Sequence, residues 1–309
     1  MDAIDRVVFG DNQFFGINHM SQEKAQQQTL RFQDLDSIFA VYETAFEAGI
    51  RAVMLNSNDR AAAICDRFRA RASTYPSLAW YPSIPYPHKY ANLVSEKGIL
   101  GAVNSVVFKD SGALSGLGRL AQGGFALLSR DVVQMAKMLI DTELRMFREL
   151  DVRVVFLQNI ITDLLLGLNA PDFFVEYCEH IRRKYGALPG LITQNLPLLR
   201  ERLESWGISG VVICASINKI GYFMSPGVEA YRTTLATNDP ARYPVMAMAT
   251  LASGALRAPE AYEFVNSLNV QSVVFGASSR NHIVETLRYI APAGAAPPET
   301  SFAPAGAAP

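Results

Sequence analysis

The sequence lacks the features that mark two large classes of protein. Its 28 Lys and Arg residues balance 29 Asp and Glu residues, which leaves a formal net charge of −1. A chain without a basic excess has no field that attracts nucleic acid, so no nucleic-acid partner is expected. No apolar run approaches the roughly 20 residues that span a bilayer, so no membrane partner is expected. The expected ligand is therefore a small molecule.

Cysteine and histidine are scarce. The three cysteines, Cys65, Cys178 and Cys214, are far apart and lie in apolar stretches. Such isolated cysteines predict buried thiols in a reducing compartment rather than disulfides or a zinc framework. The first residues lack the charged region and the apolar core of a signal peptide, which favours a cytoplasmic location. The four histidines form no HxH or HExxH motif, and no metal is predicted.

Short apolar runs alternate with helical patterns along the chain. Such runs predict buried strands, and their alternation with helices is typical of a parallel sheet covered by helices. The predicted strands are Val7–Gly10, Ala52–Leu55, Leu78–Ile84, Ser105–Lys109, Val154–Gln158, Leu191–Thr193, Val211–Ala215, Val245–Ala249 and Val273–Phe275. These are one more than a (β/α)8 TIM barrel needs, so Leu78–Ile84 or Ser105–Lys109 is expected to be an insertion or a false prediction.

Polar residues recur at the C-terminal ends of the predicted strands. Barrel active sites lie at those ends, so this recurrence favours a barrel over the alternative, a doubly wound open sheet. The predicted barrel is a single domain over residues 1–291. Residues 292–309 are rich in Ala and Pro, lack core-forming residues and are expected to be disordered.

Amides dominate these strand ends. They donate and accept hydrogen bonds, which suits a carbonyl or hydroxyl-rich substrate. Each single amide is more often a turn former or a helix cap, so their repetition carries the functional interpretation. The predicted substrate-binding residues are Asn12, Asn56, Tyr81, Gln158 and Asn159.

Lys109 and Asp110 form the most specific candidate pair for catalysis. A partly desolvated lysine at a strand end acts as a Schiff-base nucleophile or a general base, and Asp110 would move its proton or hold it charged. The alternative is a surface salt bridge. His19 suits acid–base chemistry near neutral pH, or it simply bonds to its own loop. Asp11 and Asp59 complete the predicted catalytic set.

A small-residue turn, Gly276–Ser279, leads directly from the last predicted strand into a helix. Free backbone N–H groups and the positive end of the helix dipole suit an anion there. The last two strand-to-helix loops of a barrel are also the usual phosphate site. The alternative is that Ser278 or Ser279 only caps the helix.

Five segments resemble the aldo-keto reductase superfamily, over roughly residues 130–290. They are SRDVVQMAKMLIDTELRMFRELDVRVVFLQN, GLITQN, ICASINKIG, ATLASGAL and VVFGASSRNHI. The resemblance implies a barrel that binds NADP. Thr193 and Asn195 would lie near the nicotinamide amide, with Asn218 at the next strand end. Ser253 and Gly254 would bind the pyrophosphate, whereas Gly276, Ser278 and Arg280 would bind the adenosine phosphate.

The family's catalytic Asp, Tyr, Lys and His are not matched. The histidine position falls at Asn159, no tyrosine follows Leu55–Asp59 in the expected place, and Lys109 fits only if its strand is the matching one. Three functions stay open. The first is an NADP-linked carbonyl/alcohol oxidoreductase with an altered proton donor. The second is a non-redox lyase or isomerase that uses Lys109 and an anion pocket at Gly276–Arg280. The third is a non-catalytic subunit. Homo-oligomer formation also stays open.

Overall fold

The structure is a computed structural model that describes residues 4–15, 30–86 and 130–290. The predictions for His19, Lys109, Asp110 and residues 292–309 lie outside these described residues. The strands are β1 Val7–Phe9, β2 Ala52–Asn56, β3 Ala79–Ile84, β4 Asp151–Val152, β5 Val154–Leu157, β6 Leu188–Thr193, β7 Val212–Ser216, β8 Val245–Met248 and β9 Ser272–Phe275.

The strands close into a parallel barrel of eight positions. Neighbouring strands pair in the order β1, β2, β3, β5, β6, β7, β8 and β9, and β9 pairs back with β1. The short β4 pairs with the start of β3 and β5 pairs with its end, so the two share one position and are separated only at Arg153. The predicted (β/α)8 fold is confirmed.

The structure places one of the two doubtful predicted strands, Leu78–Ile84, in the barrel. Strand β3 pairs with β2 through Met54 and Tyr81 and with β5 through Ile84 and Leu157, so Leu78–Ile84 belongs to the ring. The expectation that this segment is an insertion is wrong. The described strands complete the ring by themselves, and Ser105–Lys109 lies outside the described residues.

The helices of the described chain cover the outside of the ring. They are α1 Leu35–Glu47, α2 Ala61–Ala70, α3 Arg130–Leu144, α4 Asn159–Gly167, α5 Pro171–Tyr185, α6 Leu196–Ser205, α7 Val228–Ala236, α8 Ala258–Asn266 and α9 Arg280–Tyr289. Both ends of α1 are marked by residues typical of helix ends. The Asp34 carboxylate caps its first turn by accepting from the Ser37 N–H, and Gly49 follows with a φ of +97°. None of the helices in the described ranges has both the length and the apolar character that crossing a membrane requires.

Side-chain alternation along the strands divides the barrel interior into layers. One set of residues packs across the inside of the ring and fills it with apolar groups, among them Val8, Met54, Tyr81, Phe156, Ile192, Cys214, Met246 and Val274. The next inward position of a strand lies two residues further on. That rule places Asn56, Ser83 and Gln158 on top of the apolar layer, at the C-terminal end of the barrel. Polar residues therefore line part of the barrel mouth.

Candidate functional site

A hydrogen-bonded network joins the ends of β1, β2, β3 and β5. The Asp11 carboxylate accepts from the Asn56 backbone N–H at 2.9 Å and from Asn56 Nδ2 at 2.5 Å. Asn56 Nδ2 also reaches Asn12 Oδ1 at 3.3 Å. Gln158 Nε2 donates to Asn56 Oδ1 and to Ser83 Oγ, each at 2.6 Å. The structure thus brings together four residues predicted from separate strand ends, Asp11, Asn12, Asn56 and Gln158.

Asp11 is the group in this network that titrates near neutral pH. Its side chain lies just after β1 and only 2% of the residue is exposed. Burial disfavours the charged carboxylate and raises the pKa of Asp11 to about 7, although the hydrogen bonds from Asn56 oppose the rise. Asp11 can therefore hold or release a proton under ordinary conditions, which is the property that an acid–base residue needs.

One predicted position differs by one residue from the residue in the network, and one residue of the network was not predicted. The resemblance placed the family's histidine position at Asn159, but Asn159 begins α4, and Gln158 is the residue whose side chain enters the network. Ser83 was not predicted, although counting two residues along β3 from the inward-facing Tyr81 finds it.

Tyr81 does not lie at a strand end, and the prediction that placed it there is wrong. It sits in the middle of β3, and its hydroxyl donates to Asp5 Oδ2 at 2.6 Å and accepts from the Asp5 N–H at 2.9 Å. Arg153 Nη1 donates to the same carboxylate at 3.0 Å. Asp5 precedes β1 and Arg153 precedes β5, so Tyr81 contacts the N-terminal end of the barrel, opposite the network.

A tyrosine that sequence analysis missed lies next to the network. Tyr86 follows the end of β3, and its backbone N–H donates to Ser57 Oγ at 3.1 Å. Burial and the nearby charges of Asp11 and Asp59 raise the pKa of the Tyr86 phenol. Asp59 itself is exposed in the turn after β2. The only signal for Tyr86 was its place directly after a strand that sequence analysis left in doubt.

The polar side chains after β6 are bonded within the protein. Thr193 Oγ1 donates to Asp163 Oδ1 at 2.5 Å, and the Gln194 N–H donates to Asp163 Oδ2 at 3.0 Å. Asn195 caps α6, because its Oδ1 accepts from the Leu198 N–H at 3.2 Å. Asn195 is therefore a helix cap, which is the alternative role given above for amides at strand ends. Asp163 was missed because α4, which carries it, was not predicted.

The loops after β7 and β8 are tied together and have unusual backbone conformations. Asn218 bonds both the N–H and the carbonyl of Tyr222, and Ser253 Oγ donates to the Tyr222 hydroxyl at 3.2 Å. Ala252, Ser253 and Gly254 have successive φ values of +46°, +57° and +93°. Residues with side chains rarely adopt such φ values, and the residues that do adopt them cluster at ligand-binding sites. Ser253 and Gly254 are the residues that the resemblance placed at a pyrophosphate.

The turn after β9 contacts two residues that sequence analysis did not select. A Cβ atom at Gly276 would lie 2.0 Å from Gln13 Oε1, so a larger residue there would displace the Gln13 side chain. Ser278 accepts from Arg31 through its carbonyl and its hydroxyl oxygen. Arg280 pairs with Glu47 of α1 at 2.8 Å, and Ser279 caps α9. Neither Gln13 nor Arg31 belongs to a recognisable motif.

No protein-family model and no curated protein matches this sequence. Solved structures do match it. A candidate aldo-keto reductase from Pseudomonas aeruginosa is 12% identical, with a TM-score of 0.57 over 93% of this chain and 90% of that chain. A second structure so described from the same organism gives 12% identity and a TM-score of 0.55 over 93% and 89%. A candidate 2,5-diketo-D-gluconic acid reductase B gives 12% identity and a TM-score of 0.51 over 93% of this chain and 82% of that chain.

The chain has an aldo-keto reductase-like barrel fold. At 12% identity the likeness concerns the fold, and it confirms the expectation drawn from the five sequence segments. In this aldo-keto reductase-like barrel, the network around Asp11 lies at the C-terminal ends of β1, β2, β3 and β5. Barrel enzymes carry their chemistry at that end.

Proposed function

We propose that the protein is an NADP-linked oxidoreductase that interconverts a small polar carbonyl compound and its alcohol, with Asp11 as the proton donor. The observation that carries the proposal is the buried Asp11 carboxyl, whose pKa is raised to about 7, in the polar network at the barrel mouth. The aldo-keto reductase-like fold supports this choice over the lyase and the non-catalytic subunit. No observation on the described residues favours either of these two alternatives. The three buried free cysteines fit the expected cytoplasmic location.

Carbonyl reduction adds a hydride to the carbonyl carbon and a proton to the oxygen. NADPH, when bound, supplies the hydride. Asp11 in its protonated form gives its proton to the carbonyl oxygen and becomes a carboxylate. The N–H groups of Asn56 already point at both carboxylate oxygens and stabilise that product. Asn56 and Gln158 would line the substrate site and hold Asp11 in position, because the N–H groups of both amides are already donated within the network, and Asn12 lies beside them.

The residues after β8 and β9 fit a dinucleotide. The left-handed backbone at Ser253 and Gly254 forms a tight turn of the kind that binds a pyrophosphate, in which the Gly254 N–H donates to the Leu251 carbonyl oxygen at 2.8 Å. The α9 N-terminus with Gly276, Ser278 and Arg280 suits a phosphate. Thr193, Asn195 and Asn218 would contribute through the loops that they order, because their side chains are already bonded to the protein.

The proposal predicts that Asp11→Asn lowers the rate of carbonyl reduction by about 10²- to 10⁴-fold, the usual contribution of a positioned acid. NADPH binding, followed by fluorescence, should be unchanged. The rate of the unaltered protein should fall as the pH rises through about 7, because Asp11 then loses the proton that it must donate. Asp11→Asn should remove this pH step.

A matched control is Asp66→Asn, which changes an exposed carboxylate paired with Arg69 on the outside of the barrel. It should leave both the rate and its pH profile unchanged. An undiminished rate in Asp11→Asn would remove Asp11 from the chemistry. If the purified protein binds no NADPH at millimolar concentration, the redox function itself is wrong.

A further inference from the structure

The hydrogen bonds that Asp11 receives suit its carboxylate and not its protonated form. The backbone N–H and the side-chain Nδ2 of Asn56 donate to the carboxylate at 2.9 Å and 2.5 Å, and Asn58 Nδ2 donates to it at 3.4 Å. All three groups are donors, whereas a protonated carboxyl carries a donor of its own that needs an acceptor. Burial raises the pKa of Asp11 to about 7, so both forms are populated near neutral pH. The protonated form therefore requires a second arrangement of these neighbours.

Two of the three donors are fixed. The backbone N–H of Asn56 belongs to β2 and cannot turn. The Asn58 amide is held at both ends, because its Oδ1 accepts from the Arg60 N–H at 2.9 Å and its Nδ2 donates to the Asn56 carbonyl oxygen at 3.0 Å. The side-chain amide of Asn56 differs, since its oxygen and nitrogen have nearly the same shape. A half-turn about its last side-chain bond puts an acceptor where the donor was.

The partners of the Asn56 amide allow this half-turn. Gln158 Nε2 donates to Asn56 Oδ1 and to Ser83 Oγ, each at 2.6 Å. If both amides turn, Asn56 Nδ2 and the Ser83 hydroxyl donate to the Gln158 amide oxygen instead, with little movement of the heavy atoms. Serine suits this position because its hydroxyl both donates and accepts. Asn12, the other partner of Asn56 Nδ2, is exposed and can turn its own amide as well.

Two of the distances also fit the reversed arrangement. The contact between Asp11 and Asn56 is 2.5 Å and the contact between Ser83 and Gln158 is 2.6 Å. Both lengths are short for a bond donated by nitrogen and ordinary for a bond donated by a hydroxyl. In the reversed arrangement both bonds are donated by hydroxyls, that of the Asp11 carboxyl and that of Ser83.

We propose that Asn56 and Gln158 are positioning residues whose amides turn over together when Asp11 gains or loses its proton. In the protonated state the Asp11 hydroxyl donates to the Asn56 amide oxygen. When the proton leaves, the amide turns and its N–H faces the new carboxylate. Each amide nitrogen keeps its own hydrogens throughout, and only the proton of Asp11 is transferred. This amide relay satisfies a buried carboxyl in both of its protonation states.

Other titratable groups near Asp11 lie on the elements packed around it. Burial raises the pKa of the Tyr42 phenol on α1 and of the Tyr86 phenol after β3, so both are neutral near pH 7. The Cys65 thiol on α2, beside Tyr42, has its pKa raised to about 12 by burial and is also neutral. Asp59 lies exposed in the turn after β2, where its charge acts on Tyr86. A protonation step near pH 7 among these buried groups therefore belongs to Asp11.

Neutron diffraction from deuterium-exchanged crystals at about pD 5 and about pD 9 tests the turn directly, because it distinguishes nitrogen from oxygen and locates the deuterons. At the lower pD the Asn56 amide oxygen should face Asp11, with a deuteron between them. At the higher pD the deuterated amide nitrogen should face Asp11. An amide nitrogen that faces Asp11 at both pD values would overturn the relay.

The pKa of Asp11 in two variants gives a test in solution, followed by the NMR shift of its carboxyl carbon. Asn58→Ala removes a donor that cannot turn, so it should raise the pKa of Asp11 by about half a unit to one unit. Asn56→Ala removes one bond from each protonation state, so it should shift the pKa less than Asn58→Ala does. If both side chains were fixed donors, the bond lengths of 2.5 Å for Asn56 and 3.4 Å for Asn58 would give the opposite order.

A rise for Asn56→Ala that equals or exceeds the rise for Asn58→Ala would contradict the relay. Both measurements use the protein without cofactor or substrate. A relay that fails is therefore distinguishable from a redox function that fails.

Discussion

Asp11 makes the stability of the whole barrel depend on pH. Its pKa rises to about 7 in the folded protein because of burial, from the 3.8 of an ordinary Asp. Between these two values the folded state keeps a proton that the unfolded state has lost. The free energy of unfolding must therefore fall as the pH rises through this window.

We predict that Asp11→Asn removes much of this decline. Urea denaturation at pH 4, 5.5 and 7 would show it, because the unaltered protein should lose stability towards pH 7 more steeply than the variant does. Asp66→Asn serves as the control again, and it should keep the original slope. Identical slopes for Asp11→Asn and the unaltered protein would mean that Asp11 is already ionised well below pH 7.

The network residues show how far single positions are predictable from sequence. Asp11, Asn56 and Gln158 each follow an apolar run, and parallel strands bring such positions to one edge, so their meeting could be foreseen. Tyr81 was counted among the strand-end residues although it lies three residues before the end of both the predicted and the observed strand, and Ser83, one residue before that end, was not selected. Gln13 and Arg31 became visible only in three dimensions, since their contacts with Gly276 and Ser278 span the ends of the chain.

At the scale of elements, α4 holds the turn between β6 and α6 through Asp163. We predict that Asp163→Ala lowers the free energy of unfolding by about 1–3 kcal/mol, because the Gln194 N–H and the Thr193 hydroxyl lose their acceptor. The same loosening should weaken NADPH binding, since this turn is the expected nicotinamide wall. Urea denaturation and fluorescence titration measure the two effects.

The control for Asp163→Ala is Glu201→Ala, an exposed acidic residue on the neighbouring α6. It should change neither quantity by a measurable amount. Lower stability with unchanged NADPH affinity would show that the turn does not contact the cofactor.

Helix α4 also marks a limit of prediction from local sequence. Its residues, NIITDLLLG, are apolar on nearly every side, and Gln158 at its start makes no capping bond with its side chain. A short helix with exposed apolar residues, here Ile160 and Leu164, and without a cap gives a weak local signal. By contrast, α1 has both an Asp34 cap and a terminal glycine, and the apolar spacing predicts it over residues 34–48, within one residue of the observed bounds at each end.

On the scale of the molecule, the two ends of the barrel serve different purposes. We predict that Tyr81→Phe lowers the free energy of unfolding by about 1–3 kcal/mol, since the carboxylate and the backbone N–H of Asp5 lose the buried hydroxyl as their partner at the N-terminal end. Catalysis and NADPH binding should be unaffected, because the network lies at the other end. Chemical denaturation alongside a cofactor titration separates the two, and a variant that folds normally but binds NADPH weakly would contradict this division.

The alternation of strands and helices was enough to predict the barrel, but not which strands close it. Ring closure depends on the pairing of β1 with β9, through Val8 and Val274, near the two ends of the chain. No local pattern encodes such a contact. Ser105–Lys109 is as apolar as the strands of the ring, so sequence alone had no means of choosing between it and Leu78–Ile84.

The apolar layer that fills the barrel has a kinetic consequence. Tyr81, Phe156 and their neighbours pack across the ring directly beneath Asn56, Ser83 and Gln158, so nothing passes through the barrel from end to end. A compound that reaches Asp11 must leave by the opening through which it came. On the proposed function, substrate and product would therefore share one opening and compete for it.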